Sequence, residues 1–293
     1  MKKILVTGGY GFIGSYVTRD LLSKGYKVLV ADIIEDQKID GTEFVKCDLR
    51  SEDDLKSVFE YEFDTVIHLA GFSNLREAKN NPSLTIALNT LATTQILELC
   101  VEKGISKFIY GSSAYANSSK GSFYGISKLA SEKIIEEFHE KYKLDYNILR
   151  YGSVYSEMAS DNNYVYNLIK TAFEKGEINH SSDGMELREY IHASDVSRLT
   201  LKVLENEDYV NQSFILTGLE QFSRLQLFEM IKEISGEPIK IITANKKDEN
   251  QYNLSPYSFQ ASRAKKLIAN PQIDLGQGLL EIIRKLKLEW NQG

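Results

Sequence analysis

The sequence predicts an α/β fold in which a doubly wound parallel sheet is joined to a smaller C-terminal lobe. Strand-like and helix-like segments alternate over about the first 150 residues, which is typical of a parallel sheet covered by helices on both faces. A glycine-rich turn follows the first strand-like segment. The alternation weakens after Tyr155, where polar and aromatic residues mix. We therefore expect a first domain over residues 1–152 and a substrate-binding lobe over residues 153–293, with part of that lobe returning to the sheet.

The elements of the first domain are predicted from apolar periodicity and from start and stop signals. Strands are β-rich runs, and helices have apolar residues at helical spacing. Gly25 and Gly104 end helices, Ser51 caps one, and Pro82 opens another. In chain order the segments are KILVT, GSYVTRDLLSKG, YKVLVADI, TEFVKCDL, SEDDLKSVFEYE, DTVIHLAG, the helix over 82–104, SKFIYGSS, GISKLASEKIIEEFHEKYK and DYNILRYGSVY.

Composition excludes several functional classes. The net charge of −6 argues against a nucleic-acid-binding surface. Cys47 and Cys100 are too few for a disulfide scaffold, and no Cys or Cys/His cluster predicts a metal site. The first apolar run is too short for a signal peptide, and no stretch of about 18 uncharged apolar residues predicts a membrane span. We expect a cytoplasmic protein with no nucleic-acid or membrane partner.

The turn TGGYGFIG, residues 7–14, lies between the first strand and the first helix. It satisfies G-x-G-x-x-G through Gly9, Gly11 and Gly14, and a second frame through Gly8, Gly11 and Gly14. Glycines allow a tight turn and the approach of a pyrophosphate to the backbone, and the helix N-terminus attracts the phosphates. The context predicts the dinucleotide-binding turn of a Rossmann fold, although a glycine turn without a ligand is the alternative.

Asp32 ends the second strand, about 20 residues after the turn. An acid at this place binds the adenosine ribose hydroxyls and repels a 2′-phosphate. The predicted cofactor is therefore NAD rather than NADP.

Ser113, Tyr124 and Lys128 form the candidate catalytic group. Tyr124 and Lys128 are at i and i+4 near a helix start, so they share a helix face. An ammonium beside a phenol lowers the pKa of the phenol, which could then exchange a proton with a sugar hydroxyl. Ser113 ends the preceding strand and could bond the same hydroxyl. A surface Tyr/Lys pair without function is the alternative.

With these motifs, nearly the whole chain resembles the extended short-chain dehydrogenase/reductases, the NAD-dependent epimerase/dehydratase family that acts on nucleotide sugars. TGGYGFIG, HLAG, the YxxxK pair and REYIHASDV carry the resemblance. It implies catalytic roles for Ser113, Tyr124 and Lys128. It implies substrate contacts for Ser153 and for Arg188, which would bind the diphosphate. It implies cofactor contacts for Gly8, Gly11, Phe12, Ile13, Gly14, Asp32, Asp48, Leu49, Leu69, Ala70, Gly71, Asn89, Tyr124, Lys128 and Tyr151.

The chain departs from the family pattern around the sugar. The segment ANSSKGSF replaces a longer acidic loop, Ser153 replaces a common asparagine, and SEM replaces a Gly-Pro pair. No arginine-proline substrate contact is evident near Ser255-Pro256. Ala114 and Tyr115 stand where family dehydratases and decarboxylases place acids, which argues against both of those reactions.

Three functions remain open. The first is NAD-dependent epimerisation of a nucleotide-diphosphate sugar, with C4 as the expected position, through a transient keto sugar. The second is a nucleotide-sugar 4-ketoreductase or dehydrogenase that uses the same three residues and releases its NAD(P). The third is a non-catalytic NAD-binding or redox-sensing protein, which the presence of both Tyr124 and Lys128 disfavours. By analogy with the family, the helices over 82–104 and 126–143 are expected to form a homodimer interface.

Overall fold

The computed structural model describes residues 2–118, 120–245 and 264–290. The Ser255-Pro256 pair of the sequence analysis lies outside these residues. The strands are β1 (Lys3–Thr7), β2 (Lys27–Asp32), β3 (Glu43–Lys46), β4 (Thr65–His68), β5 (Lys107–Ser113), β6 (Asp145–Tyr151), β7 (Ser153–Tyr155), β8 (Glu177–His180), β9 (Leu187–His192), β10 (Gln212–Leu216), β11 (Gln221–Ser223), β12 (Lys240–Thr243) and β13 (Lys265–Leu267).

The described part of the chain also forms helices. They are α1 (Phe12–Ser23), α2 (Glu52–Val58), α3 (Leu75–Asn80), α4 (Pro82–Ile86), α5 (Ala92–Glu102), α6 (Ser122–Tyr142), α7 (Tyr164–Lys175), α8 (Ala193–Glu205), α9 (Arg224–Ser235) and α10 (Leu275–Trp290). A π-helical turn, Ala87–Leu91, joins α4 to α5. Short 3₁₀ turns cover Ala114–Asn117 and Glu207–Tyr209.

Among the described residues, the main sheet has eight strands in the order β3-β2-β1-β4-β5-β6-β10-β13. All seven pairings are parallel. Because the order reverses between β1 and β4, the carboxyl ends of these two strands flank a crevice, which is where such sheets bind ligands. The predicted doubly wound parallel sheet is confirmed.

Two apolar layers cover the sheet. On one face, Val17 and Leu21 of α1 pack with Val196 and Leu199 of α8. On the other face, residues of α2, α5 and α6 pack together, with Ile96 and Ile135 fully buried. The strands between them are nearly continuous runs of buried residues, as expected for a sheet covered on both faces.

The second lobe has its own core. A three-stranded sheet in the order β11-β9-β7 and a two-stranded sheet of β12 and β8 pack with α7, α9 and α10. Two segments of this half, β10 and β13, extend the main sheet beyond β6. The boundary between residues 152 and 153 stays a prediction.

The segment Pro82–Glu102 is long and apolar enough to cross a membrane by length and composition alone. In the fold it is a helix that lies on the sheet, and its residues Ala92, Ile96, Leu97 and Cys100 are buried in the core. Packing of these residues on the sheet therefore accounts for the buried face of this helix.

Candidate active site

The glycine turn between β1 and α1 admits no larger residues at its key positions. Gly8 has a φ of +68°, a left-handed conformation that favours glycine. A Cβ at Gly14 would lie 1.9 Å from the Gly8 carbonyl oxygen. A Cβ at Gly9 would meet the Val30 methyl groups at 2.9 Å, so Gly9 serves the packing of the turn on β2. The frame of Gly8, Gly11 and Gly14 therefore shapes the turn itself.

The start of α1 offers unpaired backbone donors. Gly11 is the N-cap of the helix and has no side chain to cap it. Because the first amides of a helix lack intrahelical acceptors, the N–H groups of Phe12 and Ile13 are available to phosphate oxygens. This cradle fits the pyrophosphate of a dinucleotide.

Asp32 is fixed beside the turn. One carboxylate oxygen accepts a 3.0 Å hydrogen bond from the Tyr10 amide, and the other accepts one of 3.1 Å from the Ile34 amide. The carboxylate thus stands at the carboxyl end of β2, where ribose hydroxyls would reach it. The residues present fit NAD, because the cradle and this acid occupy adjacent strand ends.

The Asp48-Leu49 pair follows β3. Arg50 binds the Asp48 carboxylate through its backbone amide and its guanidinium, and these bonds hold the pKa of Asp48 below its ordinary value. Leu49 is buried in the core. The pair lies at the β3 end of the sheet and is separate from the group around Tyr124.

Asn89 organises the loop after β4. Its side-chain oxygen accepts a 2.7 Å hydrogen bond from the Phe72 amide, and its side-chain nitrogen donates to the Phe72 carbonyl and to Ser127 Oγ. The segment Leu69–Gly71 immediately precedes Phe72, and a Cβ at Gly71 would lie 2.7 Å from Asn89 Oδ1. Asn89 therefore positions this loop against α6.

Ser113, Tyr124 and Lys128 meet at the carboxyl end of β5. Ser113 is the last residue of β5, and Tyr124 and Lys128 lie in the first two turns of α6. Ser113 Oγ accepts a 3.2 Å hydrogen bond from the Tyr115 amide, and the Ser113 side chain acts on the pKa of the Tyr124 phenol. Lys128 is buried, and its Nζ donates to the Gly111 carbonyl oxygen at 2.8 Å. The helix begins at Ser122, three residues before the predicted start, so Tyr124 and Lys128 are both helical.

The electrostatics of this group differ from the expectation. Burial raises the pKa of Tyr124, a hydrogen bond with Ser113 opposes the rise, and the nearby Tyr115 phenol adds to it. Burial also lowers the pKa of Lys128 to about 8, although Glu132 opposes this shift. The expectation that Lys128 lowers the pKa of Tyr124 is wrong here, because burial dominates and the ammonium is directed at Gly111.

Three further predicted residues lie around this group. Tyr151 pairs in register with Ser113, and its ring is buried in the core next to Gly111. Ser153 on β7 pairs with Tyr190 on β9. Arg188 precedes Tyr190 on β9 by two residues and is buried, and its guanidinium donates to the Leu187 carbonyl.

Two residues near the site make contacts that the sequence did not predict. The Tyr115 ring packs edge-on against Tyr124, with ring centroids 6.4 Å apart. Arg224, the first residue of α9, stacks on the Tyr164 ring at 3.7 Å and donates to the Tyr190 hydroxyl. The sequence places Tyr115 two residues after Ser113, where it lacks a carboxyl group, but does not predict its contact with Tyr124. For Arg224 no signal in the sequence points to the site.

Comparisons with known proteins agree with this geometry. The sequence profile described as the NAD dependent epimerase/dehydratase family matches residues 4–216. A putative UDP-glucose 4-epimerase of Methanocaldococcus jannaschii is 29% identical over 97% of this chain and 98% of its own. A UDP-glucuronate 4-epimerase of Thermodesulfobacterium geofontis is 27% identical over 98% of this chain and 100% of its own.

Solved structures show the same fold. The UDP-glucuronic acid 4-epimerase of Bacillus cereus, in complex with UDP-glucuronic acid and NAD, superposes with a TM-score of 0.84. That match is 24% identical and covers 98% of this chain and 99% of the other. Since the family profile spans most of the chain, from β1 through β10, the chain belongs to the NAD dependent epimerase/dehydratase family.

Proposed function

We propose that the chain is an NAD-dependent epimerase of a nucleotide-diphosphate sugar that acts at C4. The observation that carries the proposal is the meeting of Ser113, Tyr124 and Lys128 at the sheet edge that also holds the glycine cradle. The names of the two relatives, both 4-epimerases of UDP-sugars, support the position and the substrate class.

In this mechanism the chain moves one proton and holds the sugar. Tyr124 takes the proton of the C4 hydroxyl and returns it to the C4 oxygen after the keto sugar has presented its other face. Ser113 bonds the same oxygen and keeps it beside the phenol. When bound, NAD supplies the hydride acceptor and donor, and its oxidised ring adds a positive charge that favours a phenolate. Gly8, Gly11, Gly14 and Asp32 would hold NAD.

The residues after Ser113 support epimerisation over dehydration. Ala114 is buried, and Tyr115 packs on Tyr124. A dehydratase needs a second acid/base near the sugar, and neither residue supplies a carboxyl group. Arg188, on β9, is proposed to bind the substrate diphosphate, and Ser153, on β7, to contact the sugar.

One observation favours a second candidate, a nucleotide-sugar 4-ketoreductase. Burial raises the pKa of Tyr124, and a protonated phenol suits the donation of a proton to a carbonyl oxygen. Such an enzyme would consume one reduced cofactor for each product, whereas an epimerase consumes none.

The test is an assay of the purified protein with NAD and a panel of UDP-, dTDP-, GDP- and CDP-sugars. We expect a C4 epimer, detected by NMR, without consumption of NADH. Tyr124→Phe should lower kcat by about 1,000-fold, within the range for a lost general acid–base group. Tyr142→Phe, an exposed tyrosine of the same helix, is the matched control. Stoichiometric oxidation of NADH with 4-keto sugars would instead establish the ketoreductase.

We also propose a homodimer in the cytoplasm. Large apolar side chains are exposed on the two helices expected to pair: Ile86, Leu91, Phe123, Ile126 and Leu129. Burial of such a patch against a second copy would remove it from water. Light scattering that shows a monomer at micromolar concentration would reject the dimer.

A further inference from the structure

Arg224 is a buried cation that forms no ion pair with the described part of the chain. It is the first residue of α9, and 8% of its surface is exposed. Within residues 2–118, 120–245 and 264–290, no carboxylate lies at ion-pair distance from its guanidinium. The buried Arg150, by contrast, is paired with Glu132 at 2.7 Å. A buried charge is costly unless it is paired, so the environment of Arg224 is incomplete as it stands.

The Nε–Nη2 edge of the Arg224 guanidinium makes no hydrogen bond with the residues that the structure describes. Nη1 donates to the Tyr190 hydroxyl at 3.0 Å, and the Tyr164 ring lies flat beneath the group at 3.7 Å. Nε is buried and makes no hydrogen bond, and Nη2 bonds none of the residues that the structure describes. Glu186, the acid that acts on Arg224 electrostatically, is itself bonded to His180 and Ser182. The Nε–Nη2 edge is the one that binds a carboxylate through two parallel hydrogen bonds.

Arg224 lies near the residues of the candidate sugar site. Tyr190, which accepts from Arg224, lies two residues after Arg188 on β9, and alternate strand residues share a face. The Tyr115 phenol, whose ring packs against Tyr124, also acts on Arg224 electrostatically. Arg224 is therefore connected through Tyr190 to the strand that carries Arg188, and through Tyr115 to Tyr124.

We propose that Arg224 binds a carboxylate carried by the sugar ring, and that the substrate is a nucleotide-linked uronate rather than a neutral hexose. This assignment rests on the proposed function of the site. Stacking on Tyr164 and the bond to Tyr190 fix the plane of the guanidinium before the substrate arrives, which lowers the entropy cost of binding. The carboxylate supplies the missing counter-charge.

The test compares UDP-glucuronate with UDP-glucose, which differ only in the oxidation state of C6. Binding is measured by calorimetry in the Tyr124→Phe background, so that turnover does not change the ligand. We expect Arg224→Met to weaken UDP-glucuronate binding about 10- to 100-fold, as for the loss of a charge-assisted hydrogen-bond pair, and UDP-glucose binding less than about 3-fold. Arg224→Lys keeps the charge without the fork and should fall between. Arg284→Gln, at an exposed arginine of α10, is the matched control.

The outcomes separate a binding role from a structural one. If Arg224→Met weakened the binding of UDP-glucuronate and UDP-glucose equally, or left the preference for UDP-glucuronate unchanged, the assignment would be overturned. Arg224→Lys provides the same comparison if the Met variant does not fold. Binding and turnover also separate the two proposals. An Arg224-dependent preference for UDP-glucuronate without epimerisation would keep this assignment and reject the epimerase. Epimerisation of neutral sugars that is indifferent to Arg224 would do the reverse.

Discussion

Lys128 Nζ donates a 2.8 Å hydrogen bond to the carbonyl oxygen of Gly111, which ties α6 to β5 at the point where the candidate active site forms. The same ammonium lies 4.7 Å from the centroid of the Tyr110 ring. It is buried in this setting, and burial lowers its pKa to about 8. The group is therefore an ammonium at neutral pH and loses its charge within a range that an assay can reach.

The first prediction concerns this charge. Because the neutral amine forms above about pH 8, we expect kcat/KM to fall as the pH rises through that value. Lys128→Met should lower kcat about 100-fold or more. The residual activity should no longer show the alkaline limb, which is the fall in kcat/KM above about pH 8. Lys133→Met, on the exposed side of α6, is the control and should keep both the rate and the limb. A wild-type rate that continues to rise up to pH 10 would show that the reaction does not need the charge of Lys128.

The second prediction concerns the glycine cradle. In Gly14→Ala the added methyl group would lie 1.9 Å from the Gly8 carbonyl oxygen, so the backbone itself has to move. We expect a lower Tm and the loss of any Tm increase on addition of NAD, because ligand stabilisation requires the bound geometry. Gly276→Ala is the control, since its Cβ comes no closer than 3.2 Å to a neighbouring atom. An unchanged NAD-dependent shift in Gly14→Ala would show that NAD does not use this turn.

The predicted parts of the fold are those that depend on local pattern. The glycine turn, Asp32 and the Tyr124–Lys128 spacing are each defined over a few residues, and the convergence of parallel strand ends brings them together. These local patterns therefore predict that the site lies at the carboxyl ends of the strands and includes the group around Tyr124, without any knowledge of long-range contacts.

The parts that were missed depend on contacts between distant segments. Whether Tyr124 is acidified depends on how deeply it is buried, which the i, i+4 spacing does not reveal. In the sequence, Glu132 is one of several acids on a predicted helix, yet its side chain is fully buried against Arg150 of β6. From the sequence alone, Arg224 would be expected on the surface at the start of a helix. Only the packing of α9 against Tyr164 and Tyr190 places it in the site.

The third prediction tests the buried Glu132–Arg150 pair. Arg150 binds the carboxylate through Nε and Nη2, and Ser112, the neighbour of Ser113, donates to it as well. Removal of one partner leaves a buried charge uncompensated, so Arg150→Met should lower the free energy of unfolding by about 3–5 kcal/mol. The double variant Glu132→Leu/Arg150→Met should lose less than the sum of the single losses in urea titrations. Lys133→Met, which breaks an exposed pair on the same helix, should cost less than about 1 kcal/mol. Additive losses would show that the pair is not coupled.

The fourth prediction concerns Glu157, which lies in the SEM segment that departs from the family pattern. Its carboxylate lies 3.3 Å from His192 Nε2 and accepts a 2.9 Å hydrogen bond from the Tyr16 hydroxyl. His192 is also 3.5 Å from Glu281, so the cluster joins α1, β9 and α10. The contact with His192, strengthened by Tyr16 and opposed by burial, lowers the pKa of Glu157 to about 2.

A carboxyl group whose pKa is lower in the folded protein than in the unfolded chain stabilises the fold at pH values above its unfolded pKa. This stabilisation is lost as the pH falls towards the folded pKa. The window for Glu157 runs from about pH 4.5 down to about 2. Glu157→Gln should therefore lower the free energy of unfolding at pH 7 by about 1–3 kcal/mol and leave a smaller acid-dependent loss than in the wild type. Urea titrations at pH 7, 5, 4 and 3 measure both quantities. Glu60→Gln, at an exposed acid paired with Lys103, is the control and should change neither. If Glu157→Gln and the wild type lose stability in parallel from pH 5 to 3, the cluster does not couple the two lobes through this charge.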